Sequence, residues 1–258
     1  MINSLKILFR QGRQYIPDIK NAAVPGIFRG RPVISSISAD EKEIAACCPT
    51  GAIATHPLSI DMGKCSFCGE CARIFPGKIT FTRDYKIASN RRDRLVIKEG
   101  IDEAVRLDPE EIRMEISRSF RGSLKLRQVS AGGDNSNELE LNACGNVNFD
   151  MGRFGIEFVA SPRHADGIVI TGPISENMEE PLQICYDAIP DPKIIILAGV
   201  DAISGGIFTG SPAIKRDFLD KYKIDLYIPG NPVHPLTFIN GVLELVTLRK
   251  FKTFGVLR

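Results

Sequence analysis

The 258-residue sequence is 43% hydrophobic and 25% charged, with a formal net charge of +2. Such a chain has core material for two modest domains, and its balanced charge excludes a bulk nucleic-acid-binding role. Seven cysteines, five of them between Cys47 and Cys71, describe metal ligation in a reducing compartment rather than a secreted disulfide framework. No signal peptide is recognisable and no apolar run approaches the roughly 20 residues of a membrane span. The expectation is a cytoplasmic protein that can still dock on a membrane.

Residues 1–31 form a basic arm: Lys6, Arg10, Arg13, Lys20, Arg29 and Arg31 stand against the single acid Asp18. Leu5, Leu8 and Phe9 make one apolar stripe of a short helix, with Arg10 and Arg13 beside it. Two readings stay open: docking to a membrane-bound partner or anionic lipid headgroups, or a solvated arm packed on its own domain. The Gly-, Pro- and Arg-rich GIFRGRPVI that follows is an extended lead-in.

The stretch from Cys48 to Pro76 carries the chemistry. Cys65, Cys68 and Cys71 form a C-x-x-C-x-x-C run, and Cys48 stands upstream in a Cys-Pro pair. In the two-cluster bacterial ferredoxin pattern each run supplies three ligands to one cluster, and the cysteine before proline ligates the other. Cys48 is then the fourth ligand for the trio. The same spacing places a first cluster's ligands at Ser38, Glu41, Ile44 and Phe75, none of them cysteine. One set is complete and the other is missing throughout, so residues 32–100 read as an α+β ferredoxin-like domain with one 4Fe-4S cluster. Structural zinc or an empty thiol nest is the alternative, but four-coordinate zinc sites usually use two separated C-x-x-C or C/H pairs. Cys47 reads as a spare buried thiol. Short strands are expected at 78–81 and 95–98 around an Arg-rich turn.

Asp108-Pro109-Glu110-Glu111 places a proline in a first helical turn with acids behind it. A helix is expected from Pro109 to about Phe120, inside a linker at 101–122. Residues 123–258 then alternate strand and helix. Strands are expected at 124–129, 155–159, 167–171, 193–198 and 225–228, and helices near 138–144, 176–188, 212–221 and 236–248. This is a doubly wound α/β parallel-sheet domain of flavodoxin-like type, in which ligands sit at the carboxyl ends of the strands. The loops at 131–137, 199–206 and 229–232 lie there.

Val129–Asn142, Arg153–Ile156, Ser161–Asp166, Thr171–Ile174, Ser204–Phe208 and Tyr227–Gly230 resemble the small electron-transfer subunit of group 4 membrane-bound NiFe hydrogenases, including formate hydrogenlyase, and its relative in respiratory complex I. The first half resembles the two-cluster subunit that neighbours it, so the chain resembles a fusion of the two. The resemblance implies an electron-transfer subunit of a hydrogenase-related or complex I-like assembly, not catalytic alone. It implies a large hydrogenase-like subunit and membrane ion-translocating subunits as partners, a ferredoxin as a possible donor, and a place on the cytoplasmic face of the inner membrane.

That family holds a terminal 4Fe-4S cluster on four cysteines. At the matching positions this chain has Asp134, Asn137, Asp201 and Asn231, although the Glu138 that follows the first pair is kept. The resemblance therefore implies a degenerate site without its cluster. Its loops either hold their shape by side-chain hydrogen bonds or bind a hard cation through oxygen. A structural-adaptor role remains beside electron transfer. Cys144 and Cys185 fall in helices, as packing thiols. His56, His164 and His234 share no metal or triad spacing, Ser204 lacks the nucleophile elbow, and Gly199, Gly205 and Gly206 make no dinucleotide fingerprint.

Overall fold

Residues 2–12, 14–120 and 122–248 are described by the structure, a computed structural model. Helix α1 (Ile2–Gln11) opens the chain; Arg13, placed beside the apolar stripe by the sequence, lies outside the described residues, as does the end of the expected 123–258 domain. The next elements are β1 (Pro32–Ile34), α2 (Glu41–Ala46), β2 (Ile53–Ala54), β3 (Ser59–Asp61), α3 (Glu70–Ile74), β4 (Ile79–Phe81) and β5 (Val96–Lys98). Strand β1 pairs antiparallel with β4, Val33 opposite Thr80. Strands β2, β3 and β5 form a three-stranded antiparallel sheet in which Ile60 faces Ile53 on one side and Ile97 on the other. The Asp40 carboxylate accepts from the Lys42 and Glu43 amides at 2.9 and 3.3 Å, an N-cap that starts α2.

After α4 (Met114–Ser119) come β6 (Leu124–Ser130), α5 (Ser136–Ala143), β7 (Ile156–Phe158), β8 (Gly167–Thr171), α6 (Glu176–Asp187), β9 (Ile194–Ala198), α7 (Val200–Ser204), α8 (Asp217–Lys221), β10 (Leu226–Ile228) and α9 (Pro235–Thr247). Five strands form one parallel sheet in the order β10-β9-β8-β6-β7. Strands β8 and β9 are buried at every position, as expected of the centre of a sheet covered on both faces. Strand β6, by contrast, buries Leu124 and Leu126 and leaves Lys125 and Arg127 half-exposed. Gly167 opens β8 because a Cβ there would lie 2.3 Å from Ile194 Cγ1 and 2.8 Å from its carbonyl oxygen. Numbered within the sheet, the order is 2-1-3-4-5, and its topological switch point lies between β6 and β8.

The two halves share a core. One buried cluster runs without a break from Ile34, Ile44, Ile60 and Ile79 to Ile168, Ile195 and Ile203. Ser89 and Tyr227 exchange two backbone hydrogen bonds of 3.0 and 2.8 Å across the join, and a Cβ on Gly63 would meet Ile203 at 2.8 Å.

Two expected helices are shorter than their sequence signals. The helix predicted over 109–120 is confined to Met114–Ser119, behind a turn. Asp108 accepts from the Glu110 amide at 3.0 Å, and Arg113 stays extended because its guanidinium reaches Asp225, 2.9 Å on both nitrogens. The helix predicted over 212–221 is confined to Asp217–Lys221. Residues 213–215 instead lie beside 174–176: Glu176 N donates to Ala213 O and Lys215 N to Ile174 O, both at 2.8 Å. Tertiary hydrogen bonds override local propensity in both places.

The Arg113–Asp225 contact is also the most buried ion pair of the sheet half, with the Asp225 side chain 3% exposed. Asp225 also accepts from the Ile195 amide at 2.9 Å, and burial raises its pKa against the opposing pull of Arg113. Arg113→Ala should cost about 3 kcal/mol in urea unfolding by stranding that carboxylate. Adding Asp225→Asn should restore part of the loss; if the single and double variants unfold alike, the ion pair is not what holds β9 to β10.

Candidate functional site

Cys48, Cys65, Cys68 and Cys71 line one small cavity, together with Cys47, Ile53, Ile60 and Phe81. Each cysteine is placed by a local device. Cys47 caps the C-terminus of α2, and Cys48 follows with its amide donating to Ala45 O at 3.2 Å. The turn into Cys65 is folded on Asp61. Its carbonyl accepts from the Lys64 and Cys65 amides at 3.0 and 2.9 Å, and its carboxylate accepts from Gly63 N at 2.8 Å. Arg92 holds that carboxylate in a fork of 2.8 and 2.6 Å. Phe67 then takes φ 53° and Gly69 φ 79°, so the loop doubles back and puts Cys71 in the first turn of α3. A left-handed backbone is costly for a phenylalanine and marks a loop held by its surroundings. Arg29 helps to hold it by donating from Nε to the Phe67 carbonyl.

The thiols are chemically distinct. Cys65 and Cys71 are buried, Cys47 and Cys48 half-buried, and Cys68 exposed. Burial, with neighbouring thiols adding to it, pushes Cys65 up to about 12 and Cys71 up to about 11. Such groups ionise only beside a positive centre. Two amides point at sulfurs of this group, Ala52 N at Cys48 Sγ and Phe67 N at Cys65 Sγ, each at 3.3 Å. Among the described residues no three Cys, His, Asp or Glu side chains converge on one point tightly enough for a single metal ion. A tetrahedral zinc would need sulfurs about 4 Å apart, given Zn–S bonds near 2.3 Å, whereas a 4Fe-4S cluster gives each thiolate its own iron and spreads the sulfurs. Four thiols on one cavity are the donor type that iron-sulfur clusters take.

The four polar positions of the second half sit at the carboxyl ends of the strands, at and beside the switch point, but they do different things. Asn137 is buried, accepts from Val233 N at 2.9 Å, and lies against Gly199, where a Cβ would come within 2.6 Å of its amide. One side chain thus ties the loops after β6, β9 and β10. Asp134 accepts from the amide and hydroxyl of Ser136 at 2.9 and 2.6 Å; these bonds hold its carboxyl below the usual range. Asn231 is exposed, on the cis peptide before Pro232. Asp201 is 7% exposed and makes no side-chain hydrogen bond or ion pair among the described residues. Burial raises its pKa, and Asp134 and Glu138 raise it further. Glu138 itself accepts from Thr171 Oγ1 at 2.5 Å.

A larger cavity, of about 330 Å³, links the two regions. Phe67 of the cysteine loop and Arg29 face Pro229, Gly230, Asn231 and His234 across it. His234 caps α9, accepting from Leu236 N at 3.2 Å, between Phe28 and Phe149; it is a packing and capping residue. His56 and His164 are exposed, one in each half of the chain. Ser204 spends its hydroxyl within its own helix, donating to Val200 O at 3.0 Å. Cys144 is fully buried at the end of α5, and Cys185 is half-buried in α6. Sequence reasoning missed Arg216, which donates to the carbonyls of Pro173, Asp201, Ala202 and Ile203 at 2.8–3.3 Å and so braces the Asp201 turn. No spacing signal marks it, because all its acceptors are backbone.

Residues 135–245 match the model of the NADH ubiquinone oxidoreductase 20 Kd subunit family. The probable membrane-bound hydrogenase subunit mbhJ of Pyrococcus furiosus is 34% identical over 115 residues, 45% of this chain and 69% of that protein. The chain belongs to this 20 Kd subunit family. An NADH-quinone oxidoreductase subunit of Bacteroides thetaiotaomicron is 38% identical over 117 residues, and the chain spans 59% of its length. A solved chain of the membrane-bound sulfane sulfur reductase, an archaeal respiratory membrane complex, superposes on 52% of this chain and 74% of its own with a TM-score of 0.45 and 28% identity. The family match covers Asn137, Asp201 and Asn231, and begins beyond the cysteine nest.

Because the folded state raises the Asp201 pKa, it binds that proton more tightly than the unfolded chain does. The carboxyl therefore costs no stability below its ordinary range and lowers stability as pH rises through the folded value. Asp201→Asn should raise the urea midpoint at neutral pH by the equivalent of about 1–2 kcal/mol and flatten stability against pH between 4 and 7. A lower midpoint in the variant would show that the carboxylate serves a cation or a partner.

Proposed function

We propose that this chain is an electron-transfer subunit of a hydrogenase-related or complex I-like membrane-associated oxidoreductase complex. It carries one 4Fe-4S cluster on Cys48, Cys65, Cys68 and Cys71 and is not catalytic alone. The observation that carries the reading is the convergence of these four thiols on one cavity. The surrounding elements support it: β1-α2-β2 is followed by β3-α3-β4, with the outer strands paired and the inner strands paired, the internal repeat expected of a ferredoxin-like domain. At two of the four positions of a first cluster, Ile44 is fully buried and Phe75 packs against the same core. When bound, the cluster takes up and gives back single electrons. The protein's part is to orient the thiolates, donate Ala52 and Phe67 N–H groups to two of them, and exclude water with Ile53, Ile60 and Phe81.

On this reading the terminal-cluster site is degenerate, with Asp134, Asn137, Asp201 and Asn231 in place of ligands. Electrons then exchange with a ferredoxin-type donor or a neighbouring subunit at the nest, and the sheet half serves attachment to a large hydrogenase-like subunit and, through it, to membrane ion-translocating subunits. The Asn137 tie between three loops favours a second reading as well, that of a structural adaptor whose cluster lies off the electron path. Nucleic acid is no partner of either.

The basic arm supports peripheral attachment at the cytoplasmic face of the membrane. No helix among the described residues is long and apolar enough to cross one. Arg153 stacks on Tyr15 at 5.1 Å and donates to Ile16 O, fixing the arm to the body, while Phe9 is 86% exposed and Leu5 and Leu8 are more than half exposed. Lys6 and Arg10 flank that apolar face, the layout of a helix lying on an anionic surface.

Anaerobically purified wild type should contain about four irons and as many labile sulfides per chain and, after dithionite, give one reduced 4Fe-4S signal, all lost in Cys65→Ser. About twice that iron would place a cluster in the second half, and zinc without iron would leave only the adaptor. An intact complex that keeps full electron-transfer activity with Cys65→Ser would also favour the adaptor. For the arm, the full chain should co-sediment with vesicles containing phosphatidylglycerol more than with pure phosphatidylcholine, and Phe9→Ser or Lys6→Ser with Arg10→Ser should abolish the difference. Equal binding of all variants would end the lipid-docking reading.

A further inference from the structure

The cysteine cavity holds five thiols where a 4Fe-4S cluster takes four. Cys47 is the fifth, and it lines the same space as the others. The two adjacent thiols are held in opposite chemical senses. Cys47 Sγ donates to the Ile44 carbonyl at 3.1 Å, which requires a proton on sulfur. Cys48 Sγ accepts from the Ala52 amide at 3.3 Å, which suits a thiolate, and has the Thr50 hydroxyl 3.7 Å away.

Resting on the cluster assignment above, we propose that Cys47 is an alternative fourth ligand that exchanges with Cys48 on one iron. In the exchange the Cys47 thiol gives up its proton and its bond to Ile44 O, and its sulfur forms a bond to the iron. The iron bond to Cys48 breaks, and the freed sulfur takes up one proton. The proton count, the thiolate count and the electron count are unchanged, so no oxidant or reductant is needed. Both residues sit where α2 ends, so the swap needs rotation about side-chain bonds and a small shift of the helix terminus rather than a new fold. The two forms differ in one respect that can be read: only the Cys48 form carries the Ala52 N–H bond on its ligand sulfur. Hydrogen bonds to cluster sulfurs stabilise the more negative, reduced state, so the Cys47 form has the lower potential.

The test compares the anaerobic full chain as wild type, Cys47→Ala, Cys48→Ala and the double variant, alanine excluding ligation through a serine oxygen. Readouts are iron, labile sulfide, the reduced EPR signal and the midpoint potential, with circular dichroism melting as the fold check. Cys47→Ala should keep about four irons but lose the Cys47 form, with a potential above that of the wild-type mixture; an unchanged potential would show that the wild type does not exchange. Cys48→Ala should keep about four irons with altered g-values and a lower potential, and the double variant should fall to a three-iron signal or none. If Cys48→Ala loses iron as fully as the double variant while the wild type holds its cluster, the exchange is wrong and the cluster assignment stands. A wild type without iron would overturn both.

Discussion

The arrangement of the cysteines depends on Asp61. That residue ends β3, opposite Val96 of β5, and its carbonyl and carboxylate accept bonds from Gly63, Lys64 and Cys65 while Arg92 grips it from the other side. Its side chain is 17% exposed and that of Arg92 32%, so the pair is partly sheltered from water and its geometry is bidentate, the form in which an ion pair has both strength and direction. Without it the turn into Cys65 would have no fixed exit angle. Arg92 also lies against Gly63, beside Ile203 of α7, so the same contact that shapes the cysteine loop seats it on the sheet half.

The loops at the carboxyl ends of the parallel strands are held in shape by their own side chains. Asn137 contributes most: its side-chain oxygen accepts from Val233 N in the loop after β10, and the amide packs against Gly199 in the loop after β9. Arg216 adds four carbonyl contacts behind α7, and Gly206 leaves the room that Asp201 occupies, since a Cβ there would fall 1.8 Å from its carboxylate. The Asp201 carboxyl is the exception, buried without a hydrogen bond among the described residues. It is a local conflict of the kind that proteins retain at functional places or at the remains of them.

The sheet half was legible in the sequence because its central strands are continuous apolar runs. GIVIT and IIILA can only be buried on both faces, and each is closed by glycine or a turn. All five expected strands are present within a residue or two. What the sequence concealed was decided by contacts between distant residues. Arg113 is drawn out of a helix by Asp225, 112 positions away, and Ile214 leaves another to bridge Ser175. Helical propensity in both segments was adequate and was overruled. At the candidate site, the cysteine spacing foretold neighbours in space, but not which thiols would be buried, nor that Asp61, Arg29 and Arg92 would brace them. Nor did the polar loop residues announce their separate roles: Asn137, Asp201 and Asn231 look alike in a loop sequence, yet one is a tie, one an unpaired buried acid and one a surface residue beside a cis proline.

These placements bear on where an electron could go. In the proposed subunit Cys68 is the exposed member of the nest, whereas the route toward the sheet half runs past Phe67 and Arg29 into a cavity and then to Asn231, none of which is a redox group. A route that leaves through the Cys68 side meets solvent and whatever partner covers it. On the proposed single-cluster reading, a route through the body would have to cross the cavity and the Asn137-bound loops. That asymmetry favours exchange at the outer, Cys68 face of the nest.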